Sequence, residues 1–170
     1  EQTKQIILEK NVTTENIDET AHDVGVGAVV FNELSNYRIK DYVFSWDKVL
    51  NFEGETGPYV QYTHARACSI LRRAGEDTVK AAKKGFDTSW ITGESAHHLI
   101  KLLYALPEVI KEAGEKYEPS IVTRHIVDIA QGFNKFYHDE HILVEDEKEK
   151  TAKVALVLTV QTAIKNGLGL

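Results

Sequence analysis

A chain of 170 residues holds one ordinary domain, or one domain with part of a neighbour. With 42% hydrophobic residues it can bury a core without staples, and a single cysteine, Cys68, excludes a disulfide framework. The net charge of −6, taken alone, argues against a nucleic-acid partner. No signal peptide or apolar run of about 18 residues is present, which argues against secretion and a membrane span.

In chain order, Thr3 to about Lys10 reads as the end of a helix, closed by the loop Asn11-Val-Thr-Thr14. Thr14 is a candidate N-cap for a short helix through Ala21 to Val24. Val24-Gly-Val-Gly-Ala-Val-Val-Phe31 is ambiguous between helix and strand. Its GxG lacks an upstream strand and the third glycine of a dinucleotide fingerprint, so close packing of a helix reaching about Leu34 is the better reading. Tyr37 to Trp46 alternates as an extended segment would, and Asp47 is a candidate cap for a short helix through Leu50. After the loop Phe52–Gly57, Thr56 offers an N-cap and Pro58 a first helical position, where a missing N–H costs nothing. That helix runs to Ala74 and ends at Gly75.

Downstream, Asp77–Lys84 is a loop or short helix. Leu99, Leu102, Leu103 and Leu106 mark a helix over 94–104, and Pro107 opens another to about Lys116. Pro119 starts a helix through Ile126, Ile129, Phe133 and Phe136 to Tyr137. Glu145–Lys150 reads as a charged hinge before a last helix from Thr151 to Asn166. The fold class is therefore all-α: a helical bundle over 58–170, preceded by an acidic, irregular, mostly helical connecting segment over 1–57.

Charge is unevenly spread. Residues 1–60 carry five Lys or Arg against eleven Asp or Glu, whereas 61–170 carry fifteen of each. Within the neutral part, Arg66, Arg72, Arg73, Lys80, Lys83 and Lys84 are opposed only by Glu76 and Asp77. Such a stripe steers a phosphate backbone, and it also suits a solvated face. On the helix after Pro58, Tyr59, Tyr62, Arg66 and Arg73 fall within about 60° of one another, at about 100° per residue. Val60, Ala67, Cys68 and Leu71 lie on another side, suited to the core. Phenol rings stack on unpaired bases and guanidinium groups fork onto phosphates or lie flat on bases. The same stripe is equally compatible with packing against a neighbouring segment. Tyr137 and His141 share a side if their helix extends that far.

Enzymatic chemistry finds little support. His97 and His98 diverge on a helix, and His138 and His141 lack a carboxylate or cysteine at a metal-binding spacing. There is no GxSxG, P-loop or HExxH, and Cys68 has no evident histidine base. The expectation is no catalytic residue, no metal and no cofactor in this chain.

The 23-residue run from Phe44-Ser-Trp-Asp-Lys-Val-Leu-Asn-Phe-Glu-Gly-Glu-Thr-Gly-Pro-Tyr-Val-Gln-Tyr to Thr-His-Ala-Arg66 closely resembles arginyl-tRNA synthetase. The resemblance extends to Val24–Phe31, Lys40–Phe44, Leu106-Pro-Glu-Val109, Asp128-Ile-Ala-Gln-Gly-Phe-Asn-Lys-Phe-Tyr137 and Asn166-Gly-Leu-Gly-Leu170. It implies a class I ligase that charges arginine tRNA in a separate catalytic domain using ATP with magnesium. It further implies a DALR-type helical domain that grips the anticodon arm. On that reading 1–57 closes the catalytic region and contacts the stem, and 58–170 is the anticodon-binding domain, cut short at its C-terminus. The family's loop contacts fall on Tyr59, Tyr62 and Arg66, with a further aromatic at Tyr137. His141 stands where some relatives carry a second aromatic; a histidine still stacks, more weakly. Arg72 and Arg73 are added as phosphate or base contacts. The partners expected are arginine tRNA and the chain's own catalytic domain, in a monomeric, cytoplasmic protein with no membrane association. A helical protein-interaction module is the rival reading.

Overall fold

A computed structural model describes residues 1–9 and 15–170. Its elements are α1 (Gln2–Glu9), α2 (Ile17–Ser35), α3 (Trp46–Val49), α4 (Gly57–Ala74), α5 (Glu76–Lys84), a 3-10 turn (Thr88–Trp90), α6 (Glu94–Lys116), α7 (Ser120–Asp139) and α8 (Glu147–Leu168). No strand occurs among the described residues, so the all-α expectation holds.

The bundle is built around α8. Ala152, Val154, Ala155, Leu156, Val157, Val160, Ala163 and Ile164 are all buried, and because 152–157 is buried without a break this part of the helix is enclosed on every side and occupies the centre. Helices α4, α5, α6 and α7 pack on it. Their contributions include Val60, Ala67 and Ile70 from α4, Ala82 from α5, Leu99 from α6, and Ile126, Ile129, Phe133 and Phe136 from α7. Gly132 brings α6 and α7 together, since a Cβ there would lie 2.9 Å from Leu102 Cδ1.

Helix α2 is one element of 19 residues rather than a short helix and a second run, and Asn16 caps it by accepting from the Glu19 N–H. The candidate cap Thr14 and the loop at 11–14 lie outside the described residues. The small residues of Val24–Phe31 serve packing: a Cβ at Gly25 would sit 2.9 Å from Thr3 Oγ1, and one at Gly27 2.6 Å from Gln61 Nε2. Phe31 reaches the main core. Ala28, Val49 and Leu50, with Ile6 against them, make a small satellite cluster between α1, α2 and α3.

Several boundaries differ from the sequence reading. Residues 37–40 form a turn closed by the Lys40 N–H donating to the Tyr37 carbonyl at 2.8 Å, and only 41–45 run on without regular structure or a partner strand; Tyr42 donates to the Glu33 carboxylate, and Phe44 meets Trp46 edge-on at 4.8 Å. Helix α3 is entered through Ser45, not Asp47. In α4, Gly57 is the first helical residue and Pro58 the second, with Thr56 accepting from the Tyr59 N–H. Helix α6 passes straight through Pro107. The proline removes one backbone bond, at a cost of about 3 kcal/mol. An apolar face from Leu99 through Leu102, Leu103 and Leu106 to Ala113 offsets it. Helix α8 starts four residues before Thr151, because Asp146 accepts from the Lys148 and Glu149 N–H groups. The charged stretch is thus largely a first helical turn, not a hinge.

Cys68 is half-buried, and His64 lies one turn before it with Nδ1 3.8 Å from Sγ. The sequence reading found no histidine for this cysteine, although the i, i+4 spacing was visible. Desolvation, then Lys165, lowers the His64 pKa, so the ring is neutral and Nε2 can accept from the Gln161 amide at 3.2 Å.

Candidate nucleic-acid interface

The site begins where α4 leaves its capping loop. Thr56 donates to the Asn51 carbonyl at 2.5 Å and accepts from the Tyr59 N–H at 3.2 Å, which fixes the first turn and the direction of Tyr59. Three residues on, Tyr62 is exposed. The Arg66 guanidinium lies 5.0 Å from the Tyr62 ring centre and 5.2 Å from that of Tyr137 on α7. Cation–π contact with both rings thus bridges two helices.

Asn134 completes this cluster. Its amide oxygen accepts from Arg66, while its amide nitrogen donates to the Tyr59 hydroxyl at 2.8 Å and to Thr63 Oγ1 at 3.0 Å. Thr63 in turn donates to the Tyr59 carbonyl at 2.9 Å. The arrangement leaves aromatic faces and part of a guanidinium at the surface, held from behind by polar groups whose bonds are made.

About two turns beyond Arg66 on α4, Arg73 shares a groove of about 400 Å³ with Tyr137, His138, Glu140 and His141, floored by Ile70, Ile142 and Leu143. That volume lies in the range of small-ligand clefts. Helix α7 ends at Asp139, so His141 sits in the following loop and not on the helix as its spacing had suggested. Lys153 places it. This ammonium, 9% exposed, donates to the His141 carbonyl at 3.0 Å and pairs with Glu140 at 3.0 Å and Glu149 at 2.8 Å. Burial works against the charge, but the hydrogen bonds to Glu149 and Glu140 more than offset it and raise the Lys153 pKa. Hydrogen bonds from Lys135 and His138 hold the Asp139 carboxyl below its ordinary value.

The structure therefore brings Tyr59, Tyr62, Arg66, Arg73, Tyr137 and His141 onto one continuous surface. It leaves Arg72 out: one residue from Arg73, it is turned by about 100° and does not line the groove. Lys80 is paired with Glu76 at 3.0 Å, whereas Lys83 and Lys84 are exposed in the last turn of α5. Asn134, Thr63 and Lys153 escaped the sequence reading. Asn134 is three residues before Tyr137, a helical neighbour spacing that could have flagged it; nothing local flags Lys153.

The family model described as the DALR anticodon binding domain matches residues 60–170. The chain belongs to the DALR anticodon-binding domain family. Over its whole length it is 52% identical to the arginine–tRNA ligase of Halothermothrix orenii and 49% identical to that of Clostridioides difficile. In both cases it spans 29% of the relative's length, the C-terminal part. Thermus thermophilus arginyl-tRNA synthetase superposes on 99% of the chain with a TM-score of 0.89 and 31% identity, over 29% of its own length. Arginyl-tRNA synthetase from Plasmodium falciparum shares the fold, with a TM-score of 0.84 over 99% of this chain and 30% of its own, at 22% identity. The DALR match starts one residue after Tyr59, so the α4 stripe and α7 cluster fall almost wholly within it.

Proposed function

We propose that this chain grips the anticodon arm of arginine tRNA, as the RNA-holding part of an ATP-dependent arginine–tRNA ligase. The observation that carries the reading is the two-helix cluster of Tyr62, Arg66 and Tyr137 beside the Arg73–His141 groove. Exposed rings next to a guanidinium held in place suit splayed, single-stranded bases rather than a duplex. Tyr59, Tyr62 and Tyr137 stack on loop bases; Arg66 and Arg73 hold bases or phosphates; His141 stacks or donates at the edge. Arg72 serves at most as a peripheral phosphate contact.

The ligation chemistry belongs to a catalytic domain of the same polypeptide, where ATP and magnesium act. The GxG run of this chain does not fit a phosphate: Gly25 and Gly27 lie inside α2 with their open faces filled by Thr3 and Gln61. Support for a docked catalytic domain comes from the apolar groove lined by Ala21, Val26, Val29, Val30, Trp46 and Leu50. A monomeric ligase working in the cytoplasm completes the reading. No described helix is long and apolar enough to cross a membrane.

The rival, a protein-interaction module, is not favoured by the relatives named above, which are called arginine–tRNA ligase or arginyl-tRNA synthetase. Binding to arginine tRNA and to a non-cognate tRNA across a salt series separates the two. The expected result is cognate preference with a steep loss of affinity as salt rises, abolished by Arg66→Ala and by Tyr62→Ala. Salt-insensitive binding without preference would overturn the proposal.

A further inference from the structure

The proton bookkeeping around Asn134 has a single solution. Arg66 can only donate, so the Asn134 amide oxygen must face it and the amide nitrogen must face Tyr59 and Thr63. The Thr63 hydroxyl has spent its one proton on the Tyr59 carbonyl, so it accepts from Asn134. The Tyr59 hydroxyl accepts the other amide proton, and no acceptor for its own proton is found among the described residues. Both amide protons of Asn134 are therefore committed inward. Arg66, fixed at one nitrogen and bracketed by two rings, keeps its remaining N–H groups for a ligand.

We infer that Asn134 is a positioning residue that turns this surface into a set of hydrogen-bond donors. Tyr59 O–H and the free side of Arg66 then select an unpaired base whose edge carries acceptors, a carbonyl oxygen beside a ring nitrogen. A base that places an amino group opposite either donor meets donor against donor and is rejected. The inference rests on the anticodon reading and adds to it which polarity of base edge the cluster accepts and which residue sets that polarity.

Asn134→Asp tests it. The variant keeps size and an acceptor for Arg66 but has no proton to give, so the Tyr59 hydroxyl must donate inward and present only lone pairs outward. The added charge weakens every RNA alike, so discrimination is the readout. The dissociation constants to compare are those for the arginine tRNA anticodon stem-loop and for loops substituted one base at a time. Asn134→Asp, Tyr59→Phe and the double variant are set beside the parent chain, with folding checked by circular dichroism. The expected outcome is a loss of about tenfold in preference at one loop position for each single variant. The double variant should be no worse than Asn134→Asp alone, because both act through one hydroxyl. Unchanged discrimination in a folded Asn134→Asp chain, or additive losses in the double variant, overturns the inference alone. A parent chain with no preference for the arginine loop overturns the anticodon reading and the inference with it.

Discussion

Replacing Lys153 by Met should destabilise the chain by an amount that depends on pH. The ammonium is 9% exposed and lies 3.0 Å from Glu140 and 2.8 Å from Glu149, whose side chains are 16% and 29% exposed. Removing one partner of a buried pair costs about 3–5 kcal/mol, because the other charge is left without compensation. Both carboxylates retain some water, so we expect about 2–3 kcal/mol at pH 7. For a chain of this size that lowers the melting temperature by about 4–12 °C. The pH dependence follows from Lys153 itself, and the deficit relative to the parent should shrink at alkaline pH. With its folded pKa raised, Lys153 contributes stability that is complete below the unfolded lysine value and lost as pH rises through the folded one. Urea midpoints for parent and Lys153→Met at pH 7 and at about pH 11 decide the matter. A cost below about 1 kcal/mol at pH 7, or a deficit equal at the two pH values, would refute the reasoning.

Arg66→Lys keeps the charge but loses the planar contact with Tyr62 and Tyr137, so RNA affinity should fall about tenfold while the salt dependence stays nearly unchanged. Gly57→Ala places a Cβ 2.9 Å from the Phe31 Cβ and 3.1 Å from the Gly27 carbonyl, neither a flexible end, so a loss of about 1–3 kcal/mol is expected in urea titration. Phe133→Ala empties a fully buried site and should cost about 3–5 kcal/mol in the same assay. His64, held neutral by desolvation, makes the unfolded state the better proton acceptor below its ordinary pKa. Stability should therefore fall as pH drops through that value, and less steeply in His64→Gln, measured as urea midpoints at pH 7.5 and 5.5.

Much of the architecture was legible because it is written locally. Thr56 and Gly75 bound α4 as their types dictate, and the 3.6-residue periodicity of α4 separates Val60, Ala67 and Ile70 from the tyrosine–arginine stripe. Where tertiary burial overrides local preference, the sequence misleads. Pro107 reads as a start but sits inside α6, because the apolar face along α7 continues past it. The alternation of Tyr37–Trp46 reads as a strand-like segment, yet no partner strand exists among the described residues to complete a ladder. The stripe of the site was visible from angles alone. The groups behind it were not: Asn134 is 68 residues from Arg66, and Lys153 meets Glu140 only after α7 and α8 are packed. His141 was placed on the correct surface for the wrong reason, through a helix that stops before it.

The most direct test of the central claim is an NMR titration of the chain with the arginine tRNA anticodon stem-loop, following amide and side-chain resonances. The account predicts that perturbed residues cluster on Tyr59, Tyr62, Arg66, Arg73, Asn134, Tyr137 and His141, with Arg72 little affected. Perturbations centred instead on the groove of Phe86, Ile100, Leu103 and Tyr104, on the α6 face, would contradict it.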